Sequence, residues 1–465
     1  MNRFTSSQLT TWTGGHWTML PVSALTGFVI DSRQVRPGQV FVALKTAQRD
    51  GHDFLAAAQS AGASAALVAK ASPGITLPQL VVSDPLLAFQ TIAREHRRKF
   101  AGPVIGISGS AGKTSTKDLV ALLLGGESGG VLATEGNLNN HLGVPLTLTR
   151  LDPVTHKFAV IEAGIGAPGE MAVLAAMIEP DVAINTLVAA AHTEALGGLD
   201  GVAREKAILP ATVRPAGVAV CPRQSAEYNA FRDLGVRTLI IERADVIRPA
   251  QPPKDRVYFT VTHRADTTAL SVAYGVPPPL NFTMRRTTDG MAQNAVLAVC
   301  SALWLGANPA QIQERLALWL PAKLRGEIRH ENGRLVYLDC YNANPAAMAD
   351  ALATFQAVAP VNEPRLYVLG CMEELGAEAA SYHRALGRQL GLRSGDRLFV
   401  IGDLAHEVGA GLLETGDFTR QLQIVSTLEP VATVVADWTG SVFIKGSRRH
   451  QLERLLEPND VPAHA

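Results

Sequence analysis

One segment constrains this chain more than any other: Gly106-Ile107-Ser108-Gly109-Ser110-Ala111-Gly112-Lys113-Thr114-Ser115. It follows an apolar run over 104–108 that reads as a buried strand, and it opens a run over 113–124 that reads as a helix. A glycine-rich turn between a strand and a helix is the form of a phosphate loop. Glycines let backbone N–H groups turn inward and approach phosphate oxygens closely, and the helix N-terminus adds partial positive charge. Lys113 would reach the outer phosphates and the Thr114 hydroxyl would sit on Mg²⁺. Ile107 stands where a full GxxxxGK[ST] pattern has its first glycine, so the loop is a shortened GxxGKT. The segment predicts ATP or GTP binding; the bland alternative is a glycine-rich turn of an α/β protein.

The chain around the loop has the length of about three domains, 465 residues at ~150 each. Hydrophobic residues make up 47% and charged residues 18%, which excludes disorder over most of the chain. Lys plus Arg and Asp plus Glu both number 42, so no global basic field for nucleic acid exists. No run approaches the ~20 apolar residues of a membrane span, and residues 1–18 do not read as an export signal. The four cysteines are far apart and form no CxxC pair, which argues against a zinc site or a disulfide framework. A cytoplasmic protein is expected.

Residues 1–97 alternate short β runs (27–31, 39–44, 65–68, 79–82) with helices over 54–61 and 85–100. The second helix ends in Arg94, Arg97, Arg98 and Lys99, as cations at the negative end of a helix should. Gly102-Pro103 then punctuates the chain. Beyond it, strands are expected at 104–108, 158–162, 181–186, 217–221 and 238–241, with helices between several. Continuous apolar strands alternating with helices predict a parallel sheet covered on both faces. Residues 255–286 differ, with strands at 257–261 and 270–272 that look antiparallel, and 290–305 reads as helical. A third block begins near Pro321, with strands at 335–339, 365–369, 398–401 and 441–444, and helices at 345–357, 378–390 and 405–413. It predicts a second, smaller open α/β sheet. Pro249 to Pro253 and Pro277 to Pro279 read as short proline-rich turns.

Three residues downstream of the loop draw attention. Glu162 closes the strand Ala159-Val160-Ile161-Glu162, and strand ends line the crevice of open α/β sheets. His192 follows the 181–186 strand, and Lys206 lies in a helix. Each alone has an ordinary structural reading: an exposed acid, a structural histidine, a solvated lysine. Mg²⁺ prefers hard oxygen ligands. A lysine near it therefore needs a phosphate partner, or a covalent change that makes it an oxygen donor.

At this point the chain resembles the Mur ligase family over nearly its full length, in the branch that adds D-alanyl-D-alanine. The resemblance rests on Asp31-Ser32-Arg33, Pro37 to Leu44 and Asp50 to Phe54 in the first block. In the second it rests on Gly109 to Thr114, including the shortened form, and on Thr134 to Pro145. In the third it rests on Asp339-Cys340-Tyr341-Asn342-Ala343-Asn344-Pro345 and Lys445-Gly446-Ser447-Arg448. It implies an α/β fold in three domains. These are a UDP-substrate-binding α/β domain (1–97), a central P-loop ATPase-like domain with a mostly parallel sheet (98–318), and a C-terminal Rossmann-like α/β domain (319–465) that binds the amino substrate and closes on ATP.

The resemblance also implies an activity: ATP-dependent joining of D-alanyl-D-alanine to UDP-N-acetylmuramoyl-tripeptide through an acyl phosphate, in peptidoglycan synthesis, by a monomer. Residue roles follow by matched position. Gly109, Ser110, Ala111, Gly112, Lys113, Thr114 and Ser115 hold ATP, with Asn294, Arg325 and Asp339. Thr114, Glu162 and His192 hold Mg²⁺. Lys113, Lys206 and His192 serve catalysis, Lys206 as a carbamate. Asp31, Ser32, Arg33, Asn137, Asn139, Asn140, Tyr341, Asn342, Asn344 and Pro345 bind substrates. The chain departs from the family pattern at Ala163 to Glu170, at Gln293, at Lys323-Leu324-Arg325-Gly326, and at Cys340, Ala347 and Cys371.

The incoming amine, with a pKa of ~8, is mostly protonated at pH 7 and needs a base; His192 and His383 are the histidines considered for it. The alternatives are another Mur-type or folylpolyglutamate-synthase-like ligase, or a nucleotide-binding scaffold without ligase activity. If the loop grips the triphosphate, Lys113→Ala lowers ATP-dependent phosphate release by at least about 10²-fold, the scale for one positioned donor, while circular dichroism stays unchanged. A near-normal rate would remove the assignment.

Overall fold

A computed structural model describes residues 4–246, 254–275 and 278–456. They form three sheets. The first joins β1 (His16–Trp17), β2 (Gly27–Val29), β3 (Gln39–Val42), β4 (Ala65–Val68) and β5 (Gln79–Val81) in the order β1-β5-β4-β3-β2, parallel except for β1. Its two faces carry separate small cores, one around Phe4, Phe28 and Phe89, the other around Phe41 and Leu55.

The central sheet contains β6 (Val104–Ser108), β7 (Val131–Ala133), β8 (Phe158–Glu162), β9 (Val182–Asn185), β10 (Val218–Pro222), β11 (Thr238–Arg243), β12 (Arg256–His263), β13 (Thr267–Ala273) and β14 (Leu280–Arg285). Their order is β14-β13-β12-β11-β10-β9-β6-β8-β7. From β7 to β12 the pairs are parallel; β13 and β14 extend the edge antiparallel. The chemistry of the strands matches their places. β6, β9 and β10 are buried along their whole length and apolar or small except for Asn185 at the end of β9, whereas β13 alternates buried with half-buried positions.

The third sheet holds β15 (Glu327–Glu331), β16 (Arg334–Asp339), β17 (Arg365–Gly370), β18 (Arg397–Ile401), β19 (Leu422–Val425) and β20 (Ser441–Lys445) in the order β15-β16-β20-β17-β18-β19, parallel except for β15. It is smaller than the central sheet, as expected, and the α/β fold in three parts expected from the sequence is the one observed. Among the described residues no helix is long and apolar enough to cross a membrane.

Several elements escape the sequence reading. The polar start folds as a helix, Ser6–Thr13, closed by a capping box between Thr5 and Gln8. β7 and β19 are short, and β19 is half exposed at a sheet edge, so neither shows a strong apolar run. β14, β15 and the helices Pro309–Ala317 and Glu429–Asp437 are further additions. The turn at Pro249 to Pro253 lies outside the described residues, as does part of Pro277 to Pro279.

Arg97 lies in the last turn of the helix Pro85–Arg98, as expected, and is 1% exposed. Its Nε donates to the Ile178 carbonyl at 2.8 Å, and its Nη2 donates to the Glu179 carbonyl at 2.7 Å and to Asp181 at 3.1 Å. It therefore caps the C-terminal end of the helix Glu170–Ile178 and fastens the first domain's last helix to the central domain. In the third domain, Arg365 and Asp396 form a buried two-point pair, side chains 3% and 0% exposed, with Nε and Nη2 at 3.0 and 2.5 Å from Asp396 Oδ2. Asp396→Ala strands a guanidinium in the interior. It should lower the stability of this domain by about 3–5 kcal/mol, measured by urea denaturation; a loss below ~1 kcal/mol would contradict the burial of the pair.

Candidate active site

The phosphate loop leaves β6, the third strand from one edge of the central sheet, between β8 and β9. Ile107 faces Glu162 on β8 and Ile184 on β9 and is fully buried in the core. The missing first glycine is explained: that position belongs to the strand, and the turn begins only at Gly109. Gly109 (φ +145°) and Gly112 (φ +77°) adopt backbone that favours glycine. A Cβ on Gly109 would stand 1.9 Å from Thr186 Oγ1, and one on Gly112 2.3 Å from Asn294 Nδ2. The turn is cradled from behind. Ser110 exchanges hydrogen bonds with Ala189, its hydroxyl donating to the carbonyl at 2.9 Å and accepting the N–H at 2.9 Å, and Thr186 donates to the Ala111 carbonyl. With those groups tied back, the first turn of the helix Lys113–Leu123 presents its free amides to the cleft.

That cleft, of about 680 Å³, is walled by Ser110, Ala111, Gly112, Lys113, Thr114 and Ser115 on one side. Asn137, Asn139 and Asn140 flank Glu162 and His192 on another; Asn294, Arg325, Asp339, Tyr341, Asn342 and Asn344 complete it. Most of the expected site residues, drawn from two domains, thus converge. Pro345 is the first residue of the helix Pro345–Val358, where its ring presets the helical φ. Asn344 caps that helix, accepting from the Ala347 N–H at 2.9 Å. Asp31, Ser32 and Arg33 lie away from the cleft, on the first domain. Asp31 starts the turn Ser32–Gln34 and pairs with Arg33 at 2.8 Å; that guanidinium pulls its carboxyl down to about 2.

Glu162 is 1% exposed. Its Oε1 accepts from Asn139 Nδ2 at 2.7 Å, and its Oε2 has no hydrogen-bond partner. A buried carboxylate oxygen left open beside the Thr114 hydroxyl and the phosphate loop fits a Mg²⁺ that takes its other ligands from phosphate and water. Among the described residues no three His, Cys, Asp or Glu side chains cluster as a protein-only metal cage. Asn294 is likewise buried with Oδ1 unpartnered, an acceptor suited to an amino group of a base. Lys113 Nζ donates back to the Gly109 carbonyl at 2.9 Å, and burial pushes its pKa down.

Lys206 does not wall the cleft. It is 1% exposed in the helix Gly198–Ala211, and burial together with the charge of Lys113 pushes its pKa well down. His192 has left-handed backbone (φ +55°), and its Nδ1 meets Glu374 of the third domain. His383 is a correction. It is fully buried, Nε2 accepts from the Met372 N–H at 2.9 Å, and Nδ1 bonds the Ala379 carbonyl at 2.6 Å. With both nitrogens engaged inside the third domain, it is not available as a base.

Some site groups carry no sequence signal. Asp350, inside a helix of the third domain, accepts from the Gly290 N–H with both oxygens at 3.1 Å. Thr193 donates to the Leu375 carbonyl at 3.0 Å. Both contacts join the third domain to the central one, and only proximity in the folded chain reveals them. Asp339, expected from the sequence, is held by Lys445 at 2.6 Å. Gly112→Ala should raise the KM for ATP at least about tenfold, since left-handed backbone costs a residue with a Cβ ~1–2 kcal/mol before any clash. An unchanged KM would show that the turn does not hold the nucleotide.

Comparison with known proteins agrees with this geometry. Residues 24–97 match the Mur ligase family catalytic domain, 107–240 the Mur ligase middle domain, and 324–448 the Mur ligase glutamate ligase domain. The UDP-N-acetylmuramoyl-tripeptide–D-alanyl-D-alanine ligase of Escherichia coli K12 is 31% identical over 460 residues, covering 97% of each chain. Its namesake from Synechocystis is 32% identical over 410 residues, covering 86% of this chain and 85% of its own. The crystal structure of MurF from Acinetobacter baumannii superposes with a TM-score of 0.85 at 28% identity, covering 97% of this chain and 98% of its own. Matching domain models in chain order, full-length relatives and a shared three-sheet fold lead to one conclusion: the chain belongs to the Mur ligase family.

Proposed function

We propose that this protein is the ATP-dependent ligase that joins D-alanyl-D-alanine to UDP-N-acetylmuramoyl-tripeptide in peptidoglycan synthesis. The observation that carries the reading is the cleft itself: a phosphate loop, an open buried carboxylate and third-domain residues around one cavity, in a chain alike end to end to relatives of that name. A carboxylate is inert toward amines because it is anionic and has a poor leaving group. Attack of its oxygen on the γ-phosphorus of ATP expels ADP and leaves an acyl phosphate. The neutral amine then attacks the acyl carbon and expels phosphate, leaving an amide.

The first step brings two anions together. Two unit charges 4 Å apart repel by about 4 kcal/mol at an effective dielectric of 20. Lys113 and the amides of the helix Lys113–Leu123 oppose that repulsion. Glu162 and Thr114, with His192 beside them, would hold Mg²⁺, which supplies further charge neutralisation when bound. Lys206, buried and driven toward its neutral form, suits attack on CO₂. The N–C bond forms, a proton leaves, and the amine becomes an anionic carbamate. The first domain would take the UDP end through Asp31, Ser32 and Arg33, with Asn137, Asn139 and Asn140 nearer the reacting carboxylate. Residues 1–97, 98–318 and 319–465 then divide the labour as UDP-substrate, ATP and amine domains. The proposal takes the protein to work as a monomer in the cytoplasm, where ATP is supplied.

Phosphate release should require both UDP-N-acetylmuramoyl-tripeptide and D-alanyl-D-alanine, and a coupled assay across an amine panel decides it. Release with a different amine points to another ligase of the family, and ATP binding without release points to a scaffold. In the same assay, bicarbonate-depleted buffer should lower the rate if Lys206 works as a carbamate; an unaffected rate, with no carbamate signal in ¹³C spectra of ¹³CO₂-equilibrated protein, would remove that part.

A further inference from the structure

One buried cation stands outside the walls of the cleft and has no part in the chemistry above. Lys117 lies one turn beyond Lys113 in the helix Lys113–Leu123 and is 5% exposed. Its Nζ donates to the Thr134 carbonyl at 2.8 Å and stands 2.7 Å from Asp118 Oδ1. An ammonium is strongly hydrated, so a lysine is a costly way to fill a core. Asp118 keeps 42% of its side chain in water, so the acid does not by itself draw the ammonium inside. What the lysine reaches for is the carbonyl of Thr134.

That carbonyl marks the place where the sheet is interrupted. β7 and β8 pair in parallel at Val131 with Phe158, Leu132 with Ala159, and Ala133 with Val160. Thr134 continues the ladder with its N–H, which donates to the Val160 carbonyl at 3.0 Å. In a regular parallel ladder its carbonyl would then take the Glu162 N–H. The Glu162 N–H goes instead to the Thr134 hydroxyl at 3.0 Å, and the carbonyl is given over to Lys117. Beyond this point the chain leaves the sheet and returns to the end of β8. Asn139 holds Glu162 Oε1 through its side chain at 2.7 Å, and its carbonyl accepts the Gly164 N–H at 2.8 Å. One lysine thus ties the helix that opens at the phosphate loop to the backbone from which Glu162 and the asparagine segment are hung.

We propose that Lys117 is a positioning residue for the metal carboxylate. By drawing the Thr134 carbonyl out of the ladder, it leaves the Thr134 hydroxyl to hold the Glu162 amide, and so keeps the open Glu162 oxygen beside Thr114. The inference rests on the reading of Glu162 and Thr114 as holders of Mg²⁺ and adds the residue that sets their spacing. Thr114 and Lys117 are three residues apart and share a face of one helix. The hydroxyl and the carboxylate of the cradle are therefore referred to the same rigid element, one directly and one through Thr134. Groups that orient a ligand from behind shift metal affinity by about 10–100-fold. A lysine that only filled space would act otherwise, because an apolar residue of like volume replaces a buried ion pair with little loss and leaves the metal untouched.

The test titrates Mn²⁺, standing in for Mg²⁺, into protein that carries a non-hydrolysable ATP analogue, with free Mn²⁺ followed by electron paramagnetic resonance. Lys117→Met keeps a long stem and loses the donor. It should weaken Mn²⁺ binding at least about tenfold and lower kcat by a similar factor. Its KM for D-alanyl-D-alanine should stay within about twofold of wild type, and its thermal midpoint within about 5 °C. Lys117→Arg, which can still donate to the Thr134 carbonyl, should recover part of the metal affinity. Thr134→Val keeps the lysine and its ion pair and removes only the hydroxyl. It should weaken Mn²⁺ to a like degree, and Lys117→Met added to it should do little more, as expected of two residues acting in series. Wild-type Mn²⁺ affinity in Lys117→Met would overturn the proposal. Wild-type affinity in Thr134→Val would overturn it as well, whether or not the lysine variant folds. Wild-type protein that bound no Mn²⁺ would remove the metal reading of Glu162 and the proposal with it. Failure of wild-type protein to release phosphate with both substrates would instead remove the ligase reading, which the metal titration does not need.

Discussion

Everything in this molecule is arranged around one close approach: backbone amides must come within reach of phosphate oxygens at the end of a buried strand. That demand excludes side chains from the inside of the turn. Thr186 fills the space behind Gly109, and Asn294 fills the space behind Gly112. The strand order follows from the same demand. With β6 held between β8 and β9, the loop emerges inside the sheet and away from its edges, and Glu162, at the end of β8, arrives beside it without any long-range design.

Charge is handled by burial and not by surface fields. The chain is neutral overall, yet Lys206 is withdrawn from water and Lys113 is half-buried in the wall of the cleft. Withdrawal lowers the affinity of each for its proton, so the two lysines are set to meet anions or to react, and not to remain as hydrated cations. The carboxylates are divided in the same way. Glu162 is buried with one oxygen committed to Asn139 and the other free, while Glu373, Glu374 and Asp403 of the third domain line a separate recess.

Much of this was legible in the residues. The apolar runs of β6, β8, β9 and β10 announce a parallel sheet, and the GxxGKT turn announces its ligand. The short or half-exposed strands β7 and β19 were not legible, because their burial comes from neighbours far away in the chain. Arg97 read as a helix-end cation because nothing local shows that the carbonyls of Ile178 and Glu179 wait beside it. His383 read as a candidate base for a similar reason: only the folded third domain shows both of its nitrogens occupied. Positions set by local backbone chemistry can be read ahead; positions set by tertiary partners cannot.

The Asp350 carboxylate deserves a last consequence. It belongs to the third domain, yet it takes the free Gly290 amide at the start of the central helix Asp289–Trp304. Four residues along that helix, Asn294 stands against Gly112. Any swing of the outer domain would therefore release one end of the rod whose next turn backs the glycine turn, so that the placing of one lobe and the firmness of a phosphate grip in the other would be two readings of one lever.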